Sequence, residues 1–98
     1  MADFILLMHD DAAGAVKAED WGPYLEALRR QGRLQGGSAI GPGVRLKKAA
    51  DPQAAPSPLS GFIRLSADDL VQATALVAGN PVFEAGGTVE IRELPRTD

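Results

Sequence analysis

Phe4-Ile5-Leu6-Leu7-Met8 is an unbroken apolar run near the start of a 98-residue chain. A strand with one face in water alternates apolar and polar residues, so a continuous run reads as a strand covered on both faces and therefore central in its sheet. The chain is long enough for one domain and too short for two units with separate cores. This strand must lie at the middle of that single core, and the remaining elements must be arranged around it.

Downstream, Trp21, Tyr24, Leu25 and Leu28 fall at i, i+3, i+4 and i+7, which predicts a helix running to about Gln31 with these residues on its buried face. Glu19 and Asp20 suit its positive end, Pro23 is tolerable within its first turn, Arg29 and Arg30 suit its C-terminal end, and Gly32 stops it. Leu34 to Ile40 reads as a strand bent or bulged at Gly36-Gly37. After the turn Gly41-Pro42-Gly43, Val44 to Lys47 alternates apolar and basic, and these two strands are expected to form a hairpin. Ala49 to Pro58, with three prolines, reads as an exposed loop.

Leu59 to Leu65 is a further strand. Ser66 with Asp69 resembles a capping box, opening a second helix whose stripe is Leu70, Ala73, Leu76 and Val77 and which ends at Gly79-Asn80-Pro81. Thr88 to Leu94 alternates as a last strand, stops at Pro95 and leaves Arg96-Thr97-Asp98 as a frayed tail. The order is β-α-β-β-β-α-β. It predicts an α+β, ferredoxin-like domain, a mixed and mainly antiparallel sheet with two helices on one face and right-handed long connections. The opposite sheet face then needs a cover, which a second copy of the chain can provide.

Charge and composition narrow the partners. Ten Lys and Arg against thirteen Asp and Glu leave a net charge of -3, which offers no positive field to a phosphate backbone, so no nucleic acid is expected. The absence of Cys excludes disulfides and thiolate chemistry and suits the cytoplasm. The N-terminal apolar run has no basic region before it and meets His9-Asp10-Asp11 at once, unlike a signal peptide. No segment approaches the roughly 20 apolar residues of a membrane span. The chain is expected to be soluble, with no membrane partner.

Several strings in order resemble the YCII-related, or DGPF-domain, family of small dimeric α/β-barrel proteins. They are Phe4 to Asp11, Glu19-Asp20-Trp21, Gln31-Gly32-Arg33-Leu34, Gly61-Phe62-Ile63 with Asp68-Asp69-Leu70, and Asn80-Pro81 followed by Gly86-Gly87-Thr88-Val89-Glu90-Ile91-Arg92. The likeness covers almost the whole chain and implies a homodimer whose two sheets pack face to face. Two departures stand out. The Asp-Gly-Pro-Phe string of one branch is missing, its place taken by the loop around Pro52 to Pro58. Where another branch carries a His near the start of the first helix and an Asp before the proline after the second, this chain has Trp21 and Asn80. Neither exchanges a proton near neutral pH, so that mechanism does not carry over.

The remaining candidates each admit two readings. His9, the single histidine, with Asp10 beside it, is the candidate catalytic pair, a base oriented by a carboxylate; the bland reading is a polar strand end before a loop. One His with two adjacent acids makes a poor metal site without a remote ligand. Trp21 and Tyr24 are core residues or walls of a pocket for a flat, partly aromatic ligand. Asn80, Pro81, Phe83 and Glu84 form the opposite wall of that pocket, or Asn80 and Pro81 simply end a helix and Phe83 anchors a dimer. Gly36-Gly37-Ser38 offers amides and a hydroxyl to a ligand but is no P-loop, and a bulge explains its glycines. Arg45, Lys47 and Lys48 read as edge-strand surface. No serine sits in a Gly-x-Ser-x-Gly elbow.

Together these features point to a homodimeric small-molecule-binding protein whose helix-sheet cleft holds Trp21, Tyr24, His9 and Asn80, with His9 as base if it is an enzyme. The sequence indicates no cofactor and no metal. The rival reading is a non-catalytic dimerisation or accessory module, which should have no sizeable pocket.

Overall fold

The computed structural model describes residues 1–54 and 59–96. Its strands are β1 (Ala2–His9), β2 (Leu34–Ala39), β3 (Val44–Arg45), β4 (Gln53–Ala54), β5 (Leu59–Ala67) and β6 (Val89–Leu94), and its helices are α1 (Trp21–Arg30), α2 (Leu70–Ala75) and α3 (Pro81–Glu84). The main sheet has the order β2-β5-β1-β6, and its three ladders are antiparallel. Because β1 and β2 both run against β5, they run parallel to each other with β5 between them. The connections β1-α1-β2 and β5-α2-α3-β6 are thus two interleaved crossovers, the ferredoxin-like arrangement expected from the element order.

The pleat of β1 builds the core. Phe4, Leu6 and Met8 are 1%, 0% and 3% exposed. Register sets Phe4 beside Leu65 and Leu6 beside Ile63, and this row meets Tyr24 and Leu28 of α1, Ala73 and Val77 of the second helical segment and Val82 of α3. Ile5 and Leu7 point to the other face, where they are half-buried. There Ile5 lies between Arg64 and Arg92, and Leu7 between Phe62 and Glu90. β1 is central, as the apolar run predicts, but one chain covers only one of its faces.

α1 follows a 3-10 turn over Ala18–Asp20. It closes in a Schellman motif: Gly32, at φ +69°, donates to Arg29 O (2.9 Å), and Arg33 donates to Leu28 O (3.0 Å). Gly satisfies the left-handed position without a Cβ penalty. No helix among the described residues is long and apolar enough to cross a membrane.

Several local expectations need correction. β2 pairs with β5, not with β3; β3 pairs instead with β4, so the proline-bearing segment contains a short strand, while its residues 55–58 lie outside the described part. β2 is the terminal strand of the main sheet, paired on one side with β5, and β3 pairs with β4 in a separate two-stranded sheet. The second helix is capped by Asp69, whose Oδ1 accepts the Gln72 N–H at 2.8 Å, whereas Ser66 belongs to buried β5 and donates its N–H to Arg33 O at 2.9 Å. Leu70 is 54% exposed, so the packed residues of that segment are Ala73, Leu76 and Val77. Asn80-Pro81 begins a separate helical turn, α3, besides ending the one before. Arg96 is tied down by Asp3, at 3.0 Å from Nε to Oδ2; Thr97 and Asp98 lie outside the described residues.

If the β1 row carries the fold, Leu6→Ala should lower stability by about 3 kcal/mol through lost burial and a residual cavity. Val71→Ala, at an 80% exposed position, should change it by less than about 0.5 kcal/mol. Urea titrations read both.

Candidate functional site

α1 presents two stripes to its surroundings. Tyr24 and Leu28 enter the core, while Trp21, Leu25 and Arg29, spaced by four residues, line a cleft of about 480 Å³ against β2 and β5. Met8, Leu34 and Ile63 supply apolar wall, and Ser38, Ala39 and Ser60 also border the space. Gly37 and Gly61 form a floor of bare backbone. A Cβ on Gly37 would fall 2.5 Å from Phe62 O, and one on Gly61 would meet Ser38 O at 3.1 Å and Met8 Cε at 3.5 Å. The two glycines therefore bring β2 and β5 into contact and keep side chains out of the cleft.

Trp21 is held edge-on by Tyr24, with ring centroids 6.2 Å apart at 69°. Of the described residues that line the cleft, only Arg29 is ionisable. Its Nη1 donates to Glu26 Oε2 at 2.7 Å, and Arg30 Nε lies 3.5 Å from Oε1 of the same carboxylate. Ser38 Oγ donates to Ala39 O at 2.9 Å.

The structure does not bring the other sequence candidates to this cleft. Tyr24 donates its hydroxyl to Leu76 O at 2.7 Å, and burial pushes its phenol above the ordinary value. Asn80 is fully buried as the N-cap of α3, its Oδ1 accepting from Val82 N (3.0 Å) and Phe83 N (3.2 Å). Its Nδ2 partly offsets the rise at Tyr24 but has no partner at hydrogen-bonding geometry. Glu84 accepts from Gly79 N at 3.1 Å and, with Tyr24, Asp20 and Pro23, borders a separate groove on the far side of α1. Phe83 is half-exposed on α3.

His9 alternates to the sheet face opposite the helices. Its Nε2 lies 3.2 Å from Glu90 Oε1, so its carboxylate partner is Glu90 rather than Asp10, which is exposed. Asp11 is engaged elsewhere, taking the Thr88 N–H (2.8 Å) and hydroxyl (2.6 Å). Among the described residues no three His, Cys, Asp or Glu gather at metal-binding distance. Sequence reasoning missed Arg29 and Glu90. Four-residue spacing from Trp21 marks the first, and the outward phase of Val89-Glu90-Ile91-Arg92 marks the second.

Among solved structures, the chain is similar to a 5-chloro-2-hydroxyhydroquinone dehydrochlorinase from Burkholderia phenoliruptrix AC1100, solved in complex with 2,5-dihydroxybenzoquinone. The TM-score is 0.54 and the identity 16%, over 96% of this chain and 95% of that one. The chain has the ferredoxin-like fold of the dimeric α/β barrels. At this identity the likeness concerns the fold alone. No family model and no curated protein matches the chain.

Three surface carboxylates sit below their ordinary range. Asp3 is lowered by Arg96 and then Gln35, Asp11 by the Thr88 hydroxyl and amide, and Glu90 by Arg92 and then His9. A depressed folded-state value gives stability that is present above the unfolded value and lost as pH falls through the folded one. Urea midpoints should therefore drop as pH falls below the ordinary Asp value of 3.8. Asp11→Asn should show a smaller drop; an unchanged pH dependence in that variant would assign the effect elsewhere.

Proposed function

We propose that the chain is a homodimeric small-molecule-binding protein whose ligand lies in the cleft beside Trp21. The observation that carries this reading is the Trp21-Leu25-Arg29 stripe facing a side-chain-free floor at Gly37 and Gly61. About 480 Å³ is within the usual range for small-ligand sites, roughly 300–1,000 Å³. A non-catalytic dimerisation module would need no such cavity. The neighbour of the same fold is an enzyme bound to a flat, oxygenated ring, which is compatible with a flat ligand here.

Binding is better supported than acid-base chemistry in this cleft, because a guanidinium does not exchange protons near neutral pH. A base role for His9 would belong to the opposite sheet face, with Glu90 as its orienting carboxylate. Self-association is supported by that same face, where Ile5, Leu7 and Phe62 stand half-covered. Closing one copy of it on another would remove the apolar area from water.

Two measurements test the proposal. In a thermal-shift screen of small planar compounds, a ligand at about 100 times its dissociation constant should add about 2.7 kcal/mol. Ala39→Leu, which fills the cleft mouth, should abolish the shift; silence across a broad screen would favour the accessory module. In sedimentation equilibrium at micromolar concentration the mass should be twice the 10.3 kDa of the chain, and Leu7→Asp should halve it. A wild-type species at the single-chain mass would refute the dimer.

A further inference from the structure

We propose that the cleft selects a planar monoanion and that Arg29 receives its carboxylate; this rests on reading the cleft as a small-molecule site. The electrostatics are set by three side chains at the C-terminal end of α1. Glu26 places Oε2 against Arg29 at 2.7 Å and Oε1 near Arg30 at 3.5 Å. One carboxylate is shared by two guanidiniums, leaving one net positive charge on this cluster, of which Arg29 borders the cleft. That charge has no second acid to neutralise it among the described lining residues, of which Arg29 is the only ionisable one.

The Arg29–Glu26 pair does not close the site to a ligand. Its side chains are 63% and 47% exposed, so the pair is screened by solvent and weak. Arg29 uses Nη1 on Glu26. A guanidinium carries five N–H donors in a fixed fork, so further donors remain for a second carboxylate.

The rest of the cleft requires a flat, apolar body. Its floor is the backbone of two paired strands, bare at Gly37 and Gly61, and Met8, Leu25, Leu34 and Ile63 surround it. Trp21 stands at one end of the α1 stripe and Arg29 at the other, eight residues or about 12 Å along the helix axis. A ring near Trp21 with an acid group extended toward Arg29 matches both ends of that span.

Trans-cinnamate and its neutral counterpart cinnamamide test this directly. Trp21 is the single tryptophan, so its indole N–H resonance in ¹H–¹⁵N spectra reports cleft occupancy. Cinnamate should bind about fivefold more tightly than cinnamamide, the size of a screened ion pair. Arg29→Gln should equalise the two by weakening cinnamate and leaving cinnamamide unchanged. Glu26→Gln, which frees the guanidinium, should widen the preference, an effect that a merely structural Arg29 would not produce. Equal binding to the wild type, or a preference surviving in Arg29→Gln, overturns the anion assignment while leaving the cleft as a binding site. If neither compound moves the indole resonance, the anion assignment falls, while the cleft reading stands or falls with the broad thermal-shift screen.

Discussion

The pleat of β1 is the constraint on which the rest of the structure depends. With side chains alternating across the strand, Phe4, Leu6 and Met8 are committed to the helical face and Ile5, Leu7 and His9 to the other. Burying each large apolar side chain of the first set is worth about 1.5–3 kcal/mol, and a slip of one residue would exchange the two sets. Both ends of the strand are pinned against such a slip. Asp3 holds Arg96 and Gln35 at one end, and Asp11 holds Thr88 at the other.

That commitment separates two surfaces. On the helical side, α1 must fill the core with Tyr24 and Leu28, which rotates the neighbouring stripe of Trp21, Leu25 and Arg29 over the edge of the sheet. There Gly37 and Gly61 leave no side chains to meet it, and a cleft results. On the other side lies a half-covered apolar strip, Ile5, Leu7 and Phe62, bordered by Arg64, Arg92 and the His9–Glu90 pair. A ligand site and a self-association surface can thus lie on opposite faces of one thin sheet, with Phe62 the residue that borders both.

The order of elements was legible because each long element has its own period or stop: the Phe4 to Met8 run, the Trp21 to Leu28 stripe, Gly32 and Pro95. What was hidden required tertiary information. Apolar periodicity groups Trp21 with Tyr24, but only the position of β2 decides which of them faces the core and which the cleft. The pairing of β3 with β4 in a sheet of their own, and of β2 with β5, is between segments far enough apart that local alternation does not choose the partner. Asn80 reads as a helix stop, and its part in starting α3 depends on Val82 packing into the core. His9 was legible as a polar strand end, but its partner Glu90 lies 81 residues away in sequence and is set by the β1–β6 ladder.

The central claim is that the ligand site belongs to one chain and the self-association surface to the opposite sheet face. Cinnamate titration of the Leu7→Asp variant, followed at the Trp21 indole resonance with far-UV circular dichroism confirming the fold, tests it most directly. The account predicts a monomer that binds cinnamate with the affinity of the wild-type protein. A folded monomer that no longer binds would contradict it, because the cleft would then need its partner.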